Sequence, residues 1–321
     1  MSAPRVRLSG PEPIAVDEIP ALNLVFSDAF SERYRRDGMT GVRVPPLNPV
    51  LWRFAIEAAG AGAMCWRDAQ GRIAAFNLAH VSGSEGWMGP LVVREDLQGQ
   101  GVGREIVTAG IRRLLDAGCR TIGLETMPRT MDNIGFYARL GFVPAHLTIT
   151  VTLDVGSPAG PRPERLSAHQ GVLRARAMSE IAACTDQVRP GADYAREIEG
   201  TLHHGVGDCV IVRDPDGAVS GFALVHEVPL VEGRVLEELR VLKLVVREAE
   251  ALPGLIERLG VAARQAGASR VAVRLQGAYP DLLRQYVATG ARVRWTDLRM
   301  TLTGYGEPTP TRGVVLSNWE L

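Results

Sequence analysis

The chain has 321 residues, 46% of them hydrophobic, with 36 basic and 36 acidic side chains and a formal net charge of zero. That is enough apolar material for two domains. A neutral chain without a basic run offers no electrostatic footprint for nucleic acid, so no nucleic-acid partner is expected.

The opening MSAPRVRLSGPEP has no apolar stretch of signal-peptide length, and no later run reaches the ~20 residues of a membrane span. A cytoplasmic protein without a membrane segment is the expectation. Helical spacing predicts helices over Leu22–Arg35 and Asn48–Ala61, the second with Leu51, Phe54, Ala55 and Ala58 inward. Gly62–Trp66 and Arg72–His80 read as strands around the turn Asp68-Ala69-Gln70-Gly71, and Met88–Val93 as a third strand. Gly103–Ala117 is an amphipathic helix with Ile106, Val107, Ile111, Leu114 and Leu115 on one face, stopped by Gly118. Thr121–Thr126 is a buried strand and Asp132–Leu140 a short helix ending at Gly141. Phe142–Val143 and Leu147–Leu153 are closing strands. Strand 88–93, helix 103–117 and strand 121–126 form a crossover unit, so those strands are expected parallel. The order predicts an α/β fold with a mixed twisted sheet flanked by helices.

The pattern then starts again. LVVRE at Leu91–Glu95 recurs at Leu244–Glu248, an offset of 153 residues. YARLG at Tyr137–Gly141 matches YVATG at Tyr286–Gly290, and TITVTL at Thr148–Leu153 matches DLRMTL at Asp297–Leu302, both at 149. Ala117-Gly118 and Ala266-Gly267 share that offset, and AAFNLAH at Ala74–His80 resembles SGFALVH at Ser220–His226 at 146. Matches in one order at nearly constant offset imply a duplicated domain. The expected organisation is 1–157, 158–303 and a tail over 304–321, with the Pro/Gly-rich Val155–Glu164 as linker.

Between LVVRE and Ala-Gly the second copy is four residues shorter. In the first copy this interval holds LQGQGVGR, a glycine loop opening a helix. A helix N-terminus presents free N–H groups and a positive dipole end, and glycines let a phosphate come close. No Lys-Ser/Thr follows as a P-loop needs, and Arg104 stands where a dinucleotide fingerprint needs its third glycine.

Gln98-x-x-Gly101-x-Gly103 after a strand resembles the Q/R-x-x-G-x-G/A signature of the GNAT superfamily of acyl-CoA-dependent N-acyltransferases. FYARLGF at Phe136–Phe142 resembles the family's second signature, in family order. The resemblance covers Leu22–Leu153 and reaches Leu173–Leu302 through the repeat, implying two tandem GNAT-like domains. It is distantly similar to mycothiol synthase, but with the active half N-terminal. It further implies acetyl-CoA as cosubstrate, with Leu91, Val92 and Val93 along the pantetheine arm. Gln98, Gly99, Gln100, Gly101, Val102, Gly103 and Arg104 would surround the pyrophosphate. Tyr137 would be the general acid at the thiolate. Where the family often places an Asn, seven residues before the tyrosine, stands Thr130; Asn133 is four before and is taken as the cofactor ligand.

The candidate bases are Glu125 at a strand end, Glu85 in a turn, and His80, which the shared His226 marks as structural. Arg35, Arg36, Arg43, Trp52 and Arg53 hint at an anionic or aromatic acceptor. The expected partner is a small-molecule amine acceptor, and a homodimer is compatible with the sequence. In the second copy Pro253 and Glu248 replace the glycine loop, so that half is expected not to bind CoA. Cys65, Cys119, Cys184 and Cys209 form no C-x-x-C pair or zinc-spaced cluster, and adjacent His203-His204 should point apart on a regular element, so no metal is expected. The tail Thr311–Leu321 is expected to dock through Val314, Val315, Leu316 and Trp319, and its terminal carboxylate is a further active-site candidate. The competing reading is a catalytically silent acyl-CoA-binding regulatory or scaffold protein.

Overall fold

The computed structural model describes residues 7–156 and 160–318. The first half runs β1 (Ser9–Pro13), α1 (Ile19–Arg36), α2 (Pro49–Ala59), β2 (Ala63–Arg67), β3 (Ile73–Ser82), β4 (Glu85–Val93), α3 (Val102–Asp116), β5 (Thr121–Thr126), α4 (Met131–Ala138) and β6 (Phe142–Asp154). The second runs β7 (Glu164–Arg165), α5 (Gly171–Val188), α6 (Ala195–His203), β8 (Gly207–Arg213), β9 (Val219–His226), β10 (Glu238–Val246), α7 (Leu252–Gln265), β11 (Arg270–Gln276), α8 (Pro280–Ala288) and β12 (Arg292–Leu302), and β13 (Val314–Ser317) follows. The same order twice is the duplication seen in the sequence.

Local chemistry sets the element bounds. Pro49 opens α2 with its missing N–H at no cost, and the Asn48 side chain accepts a hydrogen bond from Val50 N at 3.2 Å. In α3, Ile106, Val107 and Leu114 face inward as expected, but Leu115 is 39% exposed. Gly110 holds the inner position instead, because a Cβ there would collide with Met88 and Asn77. The expected pair of closing strands is one strand, β6. The short β1 against β2 has no alternating apolar pattern and was not legible.

The strands form one sheet in the order β1-β2-β3-β4-β5-β12-β6-β11-β10-β9-β8-β7. The closing strand of each half lies in the other half's part of the sheet. β12 pairs antiparallel with β5, β6 pairs antiparallel with β11, and the two closing strands pair with each other between them. The chain boundary expected near 157/158 is therefore not a boundary of the sheet. One core cluster is continuous across the halves, from Phe26 and Phe54 to Ile181 and Ile198; α3 and α7 each cover a further cluster. No helix of the described residues is long and apolar enough to cross a membrane.

Candidate active site

β4 and β5 pair in parallel only from Glu85–Met88 against Thr121–Leu124. Beyond Met88 comes Pro90, which has no N–H to give a ladder. Leu91, Val92 and Val93 continue against β3 alone, so β4 and β5 part and leave one edge of this segment facing a cavity of about 810 Å³. At the cavity's loop end, Gly99 and Gly101 have φ of 76° and 87°, a left-handed backbone open to glycine at little strain, and a Cβ at either would meet nothing within 4 Å. Gly101 is the N-cap of α3. Gln98 staples this loop to the strand: its amide donates to Val93 O at 3.0 Å and its oxygen accepts from Arg36 at 2.9 Å.

Leu91, Val92, Val93, Gln98, Gly99, Gly101, Gly103, Arg104 and Asn133 all line the cavity. Gln100 and Val102 do not; Gln100 donates to Asp96 O at 2.8 Å, and Val102 is buried in the core. Thr130 is buried, its hydroxyl 2.5 Å from an Asp37 oxygen, so Asn133 is the residue of that turn that reaches the cavity. Tyr137 lines the cavity with 7% exposure, edge-on to Phe142, and burial pushes its phenol up to about 12.

The expected bases fare differently. Glu85 is not in an exposed turn: it opens β4 at 1% exposure and does not line the cavity. Its carboxylate accepts from Arg189 at 2.8 Å and from the Tyr194 hydroxyl at 3.0 Å. Burial raises its pKa, opposed by Arg189. Glu125 does line the cavity, but both oxygens are engaged. Arg274 donates to one at 2.5 Å, and Arg299 to the other at 2.8 Å, alongside the Thr148 hydroxyl at 2.5 Å. Burial works to raise its pKa, and the two guanidiniums more than offset that, holding the carboxyl below its ordinary value. A carboxylate so held is a poor proton acceptor. His80 is buried outside the cavity, and burial, with Lys243 nearby, pushes its imidazole down to about 4.

The residues expected on the acceptor side lie elsewhere. Arg35, Arg36, Arg43, Trp52 and Arg53 do not line the cavity. Trp52 is in the core, Arg35 and Arg36 pair with Glu32, and Arg43 pairs with Asp28. That end is built from Phe26, Phe30 and Tyr34 of α1, Val44 and Leu47 after it, and Leu230, Trp295 and Asp297 of the second half. The Tyr34 and Trp295 rings stand 6.1 Å apart, and Asp297 accepts from Trp295 Nε1 at 3.1 Å and from Arg274 at 3.0 Å. Trp295 and Asp297 reach this site, and Arg299 reaches Glu125 behind it, because β12 lies in the first half's part of the sheet beside β5. In the sequence they show only as a strand repeat.

The second half has the same splay. β10 and β11 pair only from Glu238–Arg240 against Arg270–Ala272. Where the first half leaves its LVV edge to the cavity, the second places β13: Leu244, Val245 and Val246 pair with Leu316, Val315 and Val314. The tail thus docks through Val314, Val315 and Leu316 as expected, while Trp319 and the terminal carboxylate of Leu321 lie outside the described residues.

Residues 27–142 match the acetyltransferase (GNAT) family. The chain resembles the N-alpha-acetyltransferase MAK3 of Arabidopsis thaliana, at 33% identity over 60 residues, 19% of this chain and 32% of that one. It thus matches about a third of that relative's length. Among solved structures, a GCN5-related N-acetyltransferase of Sphaerobacter thermophilus superposes with a TM-score of 0.59 at 15% identity, covering 96% of this chain and 98% of that one. A tandem GNAT protein from the clavulanic acid biosynthesis pathway gives 0.61 at 16%, over 92% and 98%. N-myristoyltransferase of Saccharomyces cerevisiae gives 0.64 at 10%, over 95% and 84%. Segment 27–142 thus matches the GNAT family model, and the chain shares the fold of the tandem GNAT protein.

Proposed function

We propose that the N-terminal half transfers an acetyl group from acetyl-CoA to a primary amine of a small molecule by direct attack. One observation carries this: a cleft opened by the parting of β4 and β5, with the left-handed glycines and the α3 N-terminus at one end and Tyr137 on its wall. The residues present fit the cosubstrate. Gly99 and Gly101 leave space for a pyrophosphate beside a positive helix end, and the unpaired edge of Leu91–Val93 suits an amide-bearing arm. When bound, acetyl-CoA supplies an activated thioester. Tyr137, neutral well above physiological pH, is placed to give a proton to the leaving sulfur. With Glu85 remote and Glu125 ion-paired, the acceptor is expected to attack as free amine, its proton passing to solvent. Glu125 stands at the cavity wall with its charge balanced by Arg274 and Arg299 behind it.

The apolar and aromatic lining from Phe26 to Trp295 favours an acceptor with an apolar body. The seating of β13 in the second cleft, together with Pro253 in place of the glycine loop, supports one cofactor site per chain. The ion-paired state of Glu125 favours a second reading, an acyl-CoA-binding regulatory or scaffold protein without turnover, at the same cleft.

Calorimetric titration of acetyl-CoA into wild type and a folded Gly101→Glu variant tests this, followed by an amine screen. One site per chain, lost in the variant, with amine-dependent release of CoA, is the expected result. Binding without turnover selects the regulatory reading, tighter binding of longer acyl-CoAs displaces acetyl, and no binding removes both readings.

A further inference from the structure

Away from this cleft, three metal-ligating side chains meet between the halves. Glu57 is near the end of α2, His203 is the last residue of α6, and His204 is its C-cap. One ligand atom from each lies within 4.8 Å of the others. His204 Nε2 is 2.9 Å from a Glu57 carboxylate oxygen, and the two imidazole rings stand 5.0 Å apart, edge to face. Neighbouring side chains leave a regular helix about 100° apart, which is why the pair reads as divergent in sequence. Here the helix stops, with Gly205 at a φ of 62°, and the rings converge.

We propose that Glu57, His203 and His204 bind one divalent transition-metal ion that clamps α2 of the first half to α6 of the second. Two imidazoles and one carboxylate are a donor set for Zn²⁺, Ni²⁺ or Cu²⁺ rather than Mg²⁺ or Ca²⁺. Tetrahedral zinc with ordinary bond lengths sets its ligand atoms about 3.4 Å apart. In the present trio one pair is closer than that, at 2.9 Å, and no pair is more than 4.8 Å apart. Rotation of the exposed Glu57 and His203 side chains closes the difference, while the His204 side chain, 9% exposed, is the fixed anchor. Solvent supplies the fourth ligand. The carbonyl end of α6 adds partial negative charge. Beneath the trio the helices already touch: a Cβ on Gly200 of α6 would lie 3.4 Å from the Phe54 ring of α2.

The test is calorimetric titration of Zn²⁺ into the full chain, purified without a histidine tag and stripped with chelator, with melting followed in parallel. The expected result is one ion per chain and a melting temperature that rises with Zn²⁺ but not with Mg²⁺ or Ca²⁺. Glu57→Ala and His203→Ala should each weaken binding about tenfold or more, with acetyl-CoA binding as in wild type. Absence of saturable Zn²⁺ binding overturns the proposal. Binding of unchanged strength in both variants does so too, since the ion is then held elsewhere.

Discussion

Glu125 shows how one side chain changes meaning when the fold is complete. In the strand TIGLET it is a carboxylate at the end of an apolar run. In the sheet it faces Arg299 across the β5–β12 pair and meets Arg274 from β11. Removing one partner of a buried ion pair leaves the other charge uncompensated, so Glu125→Gln should cost about 3–5 kcal/mol in denaturant unfolding. The pH dependence follows from the depressed carboxyl. Its stabilisation is fully present above the unfolded value of about 4.3 and is lost as pH falls through the lower folded value. The stability gap between wild type and variant should therefore be widest near neutrality and narrow below that value. A gap that is flat with pH rules out the ion-pair account. Tyr137→Phe keeps the buried ring and removes the proton. A fall in kcat of roughly a hundredfold, with acetyl-CoA affinity unchanged, is expected for a general acid. Unchanged turnover would leave Tyr137 a packing residue.

At the level of elements, β4 and β10 carry the same LVV segment and meet different partners. β4 keeps an open edge beside the glycine loop, while β10 is covered by β13, all four of whose residues are buried. Val315 N also donates to the Tyr279 hydroxyl at 3.1 Å. A proline at Val315 removes that donor and clashes with the strand pairing, so Val315→Pro should destabilise the chain by about 3 kcal/mol. Its acetyl-CoA stoichiometry should stay at one, because Pro253 still replaces the loop. A second site appearing in this variant would show that β13 alone keeps the second cleft closed.

For the whole molecule, exchange of the closing strands makes the halves interdependent. Without β12 the first half ends its sheet at β5 and loses the partner of Glu125; without β6 the second half ends at β11. Residues 1–157 and 158–321 expressed separately should each lack a cooperative melt. The intact chain should unfold in one transition. Two independently melting fragments would contradict the exchanged sheet as the source of stability.

What the amino-acid order determined by itself was local and periodic: the helix faces, the strand of TIGLET, the duplication, and a glycine loop whose left-handed positions only glycine fills without strain. These depend on contacts near in sequence, and the two signatures within 27–142, the segment that matches the GNAT family model, are of that kind. What tertiary structure alone decided was which residues meet across the sheet. The ion-pair partners of Glu125 and Glu85 come from the other half, separated from them by more than a hundred residues, and so do Leu230, Trp295 and Asp297 at the acceptor end. No periodicity reports that β6 and β12 exchange places. Strand pairing at that range is settled by which edges are left open once every other backbone group has a partner.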